Sequence, residues 1–162
     1  MKVIGIDPGT ASCGYGIVHE SGGRLRAIDH GWWQTRAAER PEARLKTIFD
    51  AVAELIAAHL PDAVALEESF VGADARTALS VGQARGAVMV AAANAGVACT
   101  EYPPARVKQV VCGYGRAEKQ QVQKMVKTIL ALHSAPTPSH ASDALAVAIC
   151  HLLAPPLLRI AG

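Results

Sequence analysis

The hydrophobic pattern of the amino-terminal part predicts three strands. Residues 2–6 form a short apolar run of β-prone residues that stops after Asp7, where a proline and a glycine favour a turn. Residues 14–20 and 25–34 flank a serine- and glycine-rich turn at 21–23, a pattern that is typical of a hairpin. The three strands are therefore expected to form an antiparallel meander, with Asp7 at the end of the first.

A helical periodicity follows from Pro41 to Leu60. Apolar side chains recur there at three- and four-residue spacing, which predicts an amphipathic helix that Pro41 begins and Pro61 ends. Residues 63–66 are then a short apolar strand that leads directly into Glu67. Because this strand follows a crossover helix, we expect it to pair in parallel with the first strand.

Residues 74–95 have the length of a helix and contain no proline, but they include Gly82 and Gly86 among many alanines. Each glycine costs a helix about 1 kcal/mol relative to alanine. These small residues therefore predict close approach to another element, either the sheet or a second subunit. Residues 97–102 form a fifth predicted strand, which a pair of prolines ends.

Two helices, at residues 118–132 and 139–153, complete the predicted order β-β-β-α-β-α-β-α-α. This order indicates one α/β domain over residues 1–154, followed by a loose tail at 155–162. A length of 162 residues leaves no room for a second domain of ordinary size.

Composition argues against several other classes of protein. The longest weakly polar run, residues 86–98, is shorter than the roughly 20 apolar residues of a membrane span. The apolar run before Asp7 is short for a signal peptide, so we expect a cytoplasmic protein. The four cysteines show no Cys-x-x-Cys spacing, which predicts reduced, mostly buried thiols and no zinc site.

The formal charge of +2 is small, but its distribution is informative. Six basic residues between positions 106 and 127 stand against a single acid, so this segment predicts a local basic surface. A solvated helix face is the alternative, particularly for the last two of them. The six residues are Arg106, Lys108, Arg116, Lys119, Lys124 and Lys127.

Four candidate site residues come together on this topology. Asp7 and Glu67 each end an apolar strand, and parallel strands place their carboxyl ends at one edge of a sheet. Asp143 lies in the first turns of the last predicted helix, and His140 precedes it by three residues, so the two share a helix face. The sequence thus predicts a cluster of three carboxylates and one imidazole.

Carboxylates that lie together in a cleft repel one another unless a cation neutralises them. Their oxygen atoms suit Mg²⁺ or Mn²⁺, and two ions about 3.5–4 Å apart can hold the attacking water and the leaving oxygen of a phosphodiester. The implied chemistry is phosphodiester hydrolysis. Each residue taken alone also has an ordinary explanation as a solvated turn acid or a helix-end residue.

Six motifs, which together span nearly the whole chain, resemble the RuvC family of Holliday-junction resolvases. They are GIDPGT at 5–10, GYG at 14–16, LEESF at 66–70, GQARG at 82–86, VKQ at 107–109 and SDALA at 142–146. The resemblance implies an RNase H-like α/β fold, with a mixed five-stranded sheet flanked by helices. It also implies a metal-dependent endonuclease that cuts four-way DNA junctions symmetrically in recombination and repair.

The family's metal site and catalytic residues fall on the same four positions, Asp7, Glu67, His140 and Asp143. Glu67 is the match, because the family's glutamate precedes an exposed phenylalanine by three residues and Phe70 stands at that offset. Many members carry aspartate where this chain has His140. An imidazole favours Mn²⁺ more than a carboxylate does, and His140 either binds the metal or positions the attacking water.

By the same resemblance, Phe70 stacks on a base near the crossover, although a buried core phenylalanine is the ordinary alternative. Lys108, Arg116 and Lys119 are expected to hold backbone phosphates near the site. Two symmetric cuts call for two active sites, which predicts a C₂ homodimer through the helix at 74–95. The branch-migration proteins RuvA and RuvB are the further partners that the resemblance implies.

Three other functions fit parts of the sequence. A YqgF-like nuclease that processes ribosomal RNA precursors shares the opening strand and Asp-x-Gly, whereas the Phe70 loop and the GQARG motif favour RuvC. Sugar kinases and actin-type ATPases share the first phosphate loop, but they need two such domains. A junction-binding module without catalysis is disfavoured because all four site positions carry competent side chains.

Overall fold

A computed structural model describes residues 1–68 and 75–155 of the chain. Five strands and five helices follow one another in this described part. The strands are β1 (Lys2–Asp7), β2 (Ser12–Ser21), β3 (Arg24–Gln34), β4 (Ala63–Glu67) and β5 (Cys99–Tyr102). The helices are α1 (Pro41–His59), α2 (Ala75–Asn94), α3 (Pro104–Cys112), α4 (Lys119–Ile129) and α5 (Ser139–Leu153).

The strands form one mixed sheet in the order β3-β2-β1-β4-β5. The first three strands pair antiparallel, whereas β4 pairs in parallel with both β1 and β5. The predicted meander and the predicted parallel pairing of β1 with β4 are therefore confirmed. The expected fold class, a mixed five-stranded sheet flanked by helices, is confirmed with them.

The two faces of the sheet support separate cores. One core joins Val3 and Val18 of the sheet to helices α3, α4 and α5, and α5 is apolar and buried along most of its length. The other core joins Ile4, Ile6 and Ile17 to helices α1 and α2. Alternate residues of β1 thus point to opposite cores, as the period of a strand requires.

Glycines in β1 and β2 let helix α5 lie directly on the sheet. A Cβ atom at Gly5 would stand 2.1 Å from the carbonyl oxygen of Ala144, and one at Gly14 would stand 2.2 Å from that of His140. Only glycine fits where two backbones approach so closely. Gly14 pairs with Asp7 across the sheet, so this close approach brings the start of α5 to the end of β1.

Helix α3 is the element that the sequence pattern missed. The prolines at 103 and 104 were expected only to end a strand, but Pro103 is also the N-cap of α3 and Pro104 its first residue. Proline is well suited to that first position, since its fixed φ is already helical and its missing N–H would have no partner there. The helix ends at Gly113, whose φ of 87° closes it in the left-handed region.

Two expectations about small residues need correction. A Cβ atom at Gly82 or Gly86 of α2 would meet nothing within 4 Å in the described part of the chain, so close packing against the sheet is the wrong explanation for these glycines. All four cysteines are free, as expected, but only Cys13 and Cys150 are buried.

None of the described helices is long and apolar enough to cross a membrane. Residues 156–162 lie outside the described residues, so the loose tail stays a prediction.

Candidate metal centre

Two neighbouring parallel strands bring Asp7 and Glu67 to the same edge of the sheet. Ile6 of β1 and Leu66 of β4 are partners in the sheet, and each is followed by one of the two acids as its strand ends. Both side chains are only partly exposed. The buried apolar residues before each acid explain this position. They hold the strand in the core, and the acid that follows them lies where the strand leaves the core.

Helix α5 supplies the other two candidate residues. His140 and Asp143 lie one turn apart at its amino-terminal end, and the Nδ1 atom of His140 stands 2.8 Å from Oδ2 of Asp7. One potential ligand atom from each of Asp7, His140 and Asp143 lies within 4.8 Å of those of the other two. The site therefore offers a compact group of two carboxylates and an imidazole.

Glu67 lies in a cleft beside this group. The cleft is lined by Glu67 and Asp143 together with Lys108 of α3 and Lys119 of α4. Burial, followed by the charges of Asp7 and Asp143, raises the pKa of Glu67 from 4.5 to about 7. The structure thus brings Asp7, His140 and Asp143 within ligand distance of one another and places Glu67 in the adjoining cleft, which Asp143 also lines.

The electrostatics of the cluster are those of crowded acids. Burial raises the pKa of Asp7, and the charge of Asp143 raises it further, while the hydrogen bond with His140 and the charge of Lys119 oppose this effect. Both strand-end carboxylates therefore hold their negative charge at a cost. A cation between them would remove that cost, since an opposite charge favours the ionised form.

The predicted DNA contacts differ in their relation to the cleft. Lys108 and Lys119 both line it, and Nζ of Lys119 lies 2.7 Å from Oδ2 of Asp143. Arg116 is exposed in the loop before α4 and is not among the residues that line the cleft. Phe70 lies outside the described residues, so its stacking role stays a prediction.

Sequence reasoning missed a hydrogen-bond network that supports the loop after Asp7. The hydroxyl group of Thr10 bonds to Ser80 of α2, and Thr35 donates to the backbone oxygen of Thr10. Arg44 of α1 in turn donates through Nε to the Thr35 hydroxyl at 2.8 Å. The threonine of GIDPGT was the only signal in the sequence, because the partners are distant along the chain.

A second missed arrangement holds Lys119 in place. Glu118 caps α4 and forms a capping box with Gln121, whose side chain also accepts a hydrogen bond from the hydroxyl of Tyr114. The sequence at 118–121 carries only part of this signal, because the usual box has Ser or Thr at the N-cap with Glu or Gln at the third helical position, and Glu118 takes the place of the hydroxyl residue. Lys119 is therefore the first residue of a well-fixed helix.

Comparison with known proteins gives this geometry its context. Residues 3–151 match the sequence profile of the family described as crossover junction endodeoxyribonuclease RuvC. The chain belongs to the RuvC family. A RuvC from Heliobacterium modesticaldum is 53% identical over 150 residues, which are 93% of each chain.

Solved structures of the RuvC family agree with the fold described here. The Thermus thermophilus RuvC structure is 41% identical, with a TM-score of 0.86 over 94% of this chain and 93% of that one. A second structure, T. thermophilus RuvC in complex with Holliday junction substrate, is 39% identical with the same TM-score and coverage. The expected membership in the RuvC family is thereby confirmed, and the chain spans nearly the full length of these relatives.

Proposed function

We propose that this protein is a structure-specific endonuclease that resolves four-way DNA junctions by symmetric phosphodiester hydrolysis, in homologous recombination and DNA repair. The observation that carries the proposal is the convergence of Asp7, His140 and Asp143 at one sheet edge, with Glu67 in the adjoining cleft. This convergence occurs in a chain of the RuvC family, one member of which has been solved with a Holliday junction.

The donor set fits divalent metal ions. Three carboxylates and an imidazole suit Mg²⁺ or Mn²⁺, and the raised pKa of both Asp7 and Glu67 reflects negative charge that a cation would compensate. When bound, a pair of such ions supplies an activated water and charge stabilisation for the phosphoryl group. We propose Asp7, Glu67, His140 and Asp143 as the residues that hold the ions and form the catalytic site.

His140 has two nitrogen atoms with different environments. If Nδ1 donates its proton to Oδ2 of Asp7, the lone pair of Nε2 is available for a metal ion or for a water molecule. Asp7 would then fix both the tautomer and the orientation of the ring. This arrangement supports either of two roles for His140, direct ligation or positioning of the attacking water.

The basic side chains beside the cluster can hold the DNA backbone. Lys108 and Lys119 reach the cleft from two helices, so each can contact a phosphate next to the scissile bond. Arg116 is exposed nearby in sequence and can add a contact outside the cleft. Phe70 is proposed to stack on a base at the crossover.

The proposed substrate is DNA, which in bacteria lies in the cytoplasm, so we expect the protein to act there.

A homodimer would supply the second active site that symmetric cutting needs. Helix α2 exposes three apolar side chains, Leu79, Met89 and Val90, and its two unhindered glycines lie on the same surface at helical spacing. These features support α2 as the subunit interface of a C₂ dimer. Partnership with RuvA and RuvB is proposed from family membership.

Cleavage of a synthetic four-way junction tests the proposal. We expect paired, symmetric nicks in the presence of Mg²⁺ or Mn²⁺ and none with chelator. A structured RNA precursor serves as the control substrate, because preferential cleavage of RNA would favour the YqgF-like alternative. Tight junction binding without any cleavage would favour the non-catalytic binding module.

A further inference from the structure

The ion pair between Lys119 and Asp143 joins two helices across the mouth of the cleft. Nζ of Lys119 stands 2.7 Å from Oδ2 of Asp143, and the lysine side chain is 55% exposed while the aspartate is 20% exposed. Lys119 is the first residue of α4, where the capping box of Glu118 and Gln121 fixes its backbone. The ammonium group therefore occupies one oxygen of a proposed metal ligand.

The charge of Lys119 also acts on the rest of the cluster. It lowers the pKa of both Asp7 and Glu67, against the burial that raises them. Lys108 lowers the pKa of Glu67 as well, but in the described part of the chain it forms no ion pair within 4 Å. In the protein without metal or DNA, Lys119 is thus the cationic side chain that most directly neutralises the negative charge of the acidic cluster.

A metal ion on Asp143 and the ammonium group of Lys119 would compete for the same carboxylate. A divalent cation on Asp143 would repel the ammonium group and would neutralise the carboxylate charge that attracts it. A lysine released from Asp143 can still contribute to DNA binding, because its flexible four-carbon side chain can bring the ammonium group to a nearby phosphate. A phosphate in the cleft would lie beside the cluster, because Glu67 and Asp143 line the cleft together with Lys119.

We propose that Lys119 exchanges partners during assembly of the complex, from Asp143 in the free protein to a DNA phosphate when metal occupies the site. Metal ions and DNA then strengthen each other's binding, because each removes a competitor of the other, and such coupling is reciprocal by linkage. This inference rests on the proposed metal site and adds to it a positioning residue that couples the two ligands.

The first test is a Mn²⁺ titration of the DNA-free protein, followed by electron paramagnetic resonance of the free ion. Lys119→Met keeps the length of the side chain and removes its charge, so we expect Mn²⁺ to bind about fivefold more tightly, the factor at the upper end for a partly exposed ion pair. Lys119→Arg retains the charge and should bind Mn²⁺ as the wild type does.

Two control variants separate competition from general charge effects. Lys108→Met removes a positive charge from the same cleft without breaking an ion pair, so its effect on Mn²⁺ affinity should be smaller than that of Lys119→Met. Lys124→Met removes an exposed charge from the same helix and should leave Mn²⁺ affinity unchanged. Lys119→Gln repeats the test if the methionine variant does not fold, as judged by circular dichroism.

The second test reads the exchange from the salt dependence of junction binding. Each phosphate contact contributes about 0.9 to the slope of log affinity against log salt. With chelator, Lys119 stays on Asp143, so wild type and Lys119→Met should have equal slopes. With Ca²⁺, under conditions in which gels show no cleavage, the wild-type slope should exceed that of the variant by about 0.9.

The outcomes distinguish this inference from the proposed metal site. If wild type binds no Mn²⁺, or if Asp143→Asn binds it equally well, the proposed site itself is wrong. If wild type binds Mn²⁺ through Asp143 but Lys119→Met binds it no better than Lys108→Met, the competition is absent. A slope difference that is the same with chelator and with Ca²⁺ would show a permanent phosphate contact and overturn the exchange.

Discussion

Replacing Gly14 by alanine should disable the enzyme although it substitutes none of the candidate metal ligands. The new Cβ atom would stand 2.2 Å from the carbonyl oxygen of His140 and 2.9 Å from its Cβ atom. The nearest of these atoms, the carbonyl oxygen of His140, belongs to the backbone, so it cannot rotate away as the end of a long side chain could. The clash acts between β2 and the start of α5, directly beside Asp7 of β1, with which Gly14 pairs in the sheet.

The size of the displacement follows from these distances. Ordinary van der Waals contact begins at 3.4 Å, so α5 must move by about 1.2 Å, the difference from 2.2 Å. A misplacement of about 1 Å costs on the order of 100-fold in rate when reacting groups must be aligned. Overpacking of this kind typically costs about 1–3 kcal/mol of stability, which leaves the fold intact in a protein of ordinary stability.

The assay is the rate of junction cleavage under single-turnover conditions, beside the free energy of unfolding from urea titration. Ile56→Ala is the matched control, since it removes buried volume from the core on the opposite face of the sheet and should cost about 2–5 kcal/mol. We expect that control to cleave at nearly the wild-type rate. Normal cleavage by Gly14→Ala would refute the claim that this contact sets the geometry of the site.

Substitutions at four further positions test other parts of the site. Asp7→Asn should abolish cleavage and leave junction binding, measured by gel shift, largely intact. His140→Ala should slow cleavage with both Mg²⁺ and Mn²⁺, whereas His140→Asp should narrow the Mn²⁺ advantage of the wild type; unchanged rates would remove His140 from the site. Lys108→Ala should lower the salt slope of junction binding by up to about 0.9. Glu67→Gln should stabilise the metal-free protein above pH 7 by up to about 3 kcal/mol in thermal or urea unfolding, and the gain should vanish below pH 4.5.

The sign of the last prediction follows from proton binding. The pKa of Glu67 is raised by folding from 4.5 to about 7, so the metal-free folded state binds more protons than the unfolded state between these values. The contribution of Glu67 to stability therefore falls as pH rises from 4.5 to 7. Glutamine cannot ionise, so the variant escapes this loss, and a difference in stability between variant and wild type that stays constant over that range would contradict the assignment.

The sequence carried the positions of the site residues because they depend on the simplest features of the fold. An apolar strand that ends in an acid locates Asp7 and Glu67 along the chain, and parallel pairing of β1 with β4 brings them together. The three-residue spacing of His140 and Asp143 is likewise a local property of a helix. These predictions needed only periodicity and one rule of topology, except that the choice of Glu67 over the adjacent Glu68 rested on the resemblance to RuvC.

The remaining features depend on contacts between distant segments, which periodicity does not encode. The pair of Lys119 and Asp143 joins residues 24 positions apart, and the contact between Gly14 and His140 depends on how deeply α5 packs onto the sheet. Helix α3 was missed because the same prolines that end a strand also begin a helix. In each case, tertiary packing selects among local alternatives that the sequence leaves open.

The most direct test of the account is the cleavage of a fixed four-way junction by wild type and by Asp7→Asn, Glu67→Gln and Asp143→Asn. Strand-specific labels on all four arms show whether the cuts are paired and symmetric, and a linear duplex of the same sequence serves as the control. The account predicts symmetric, metal-dependent cuts in the junction alone, with loss of cleavage but retention of binding in each variant. Cleavage that persists with chelator, or that any of the three variants retains, would contradict a junction resolvase built on this metal centre.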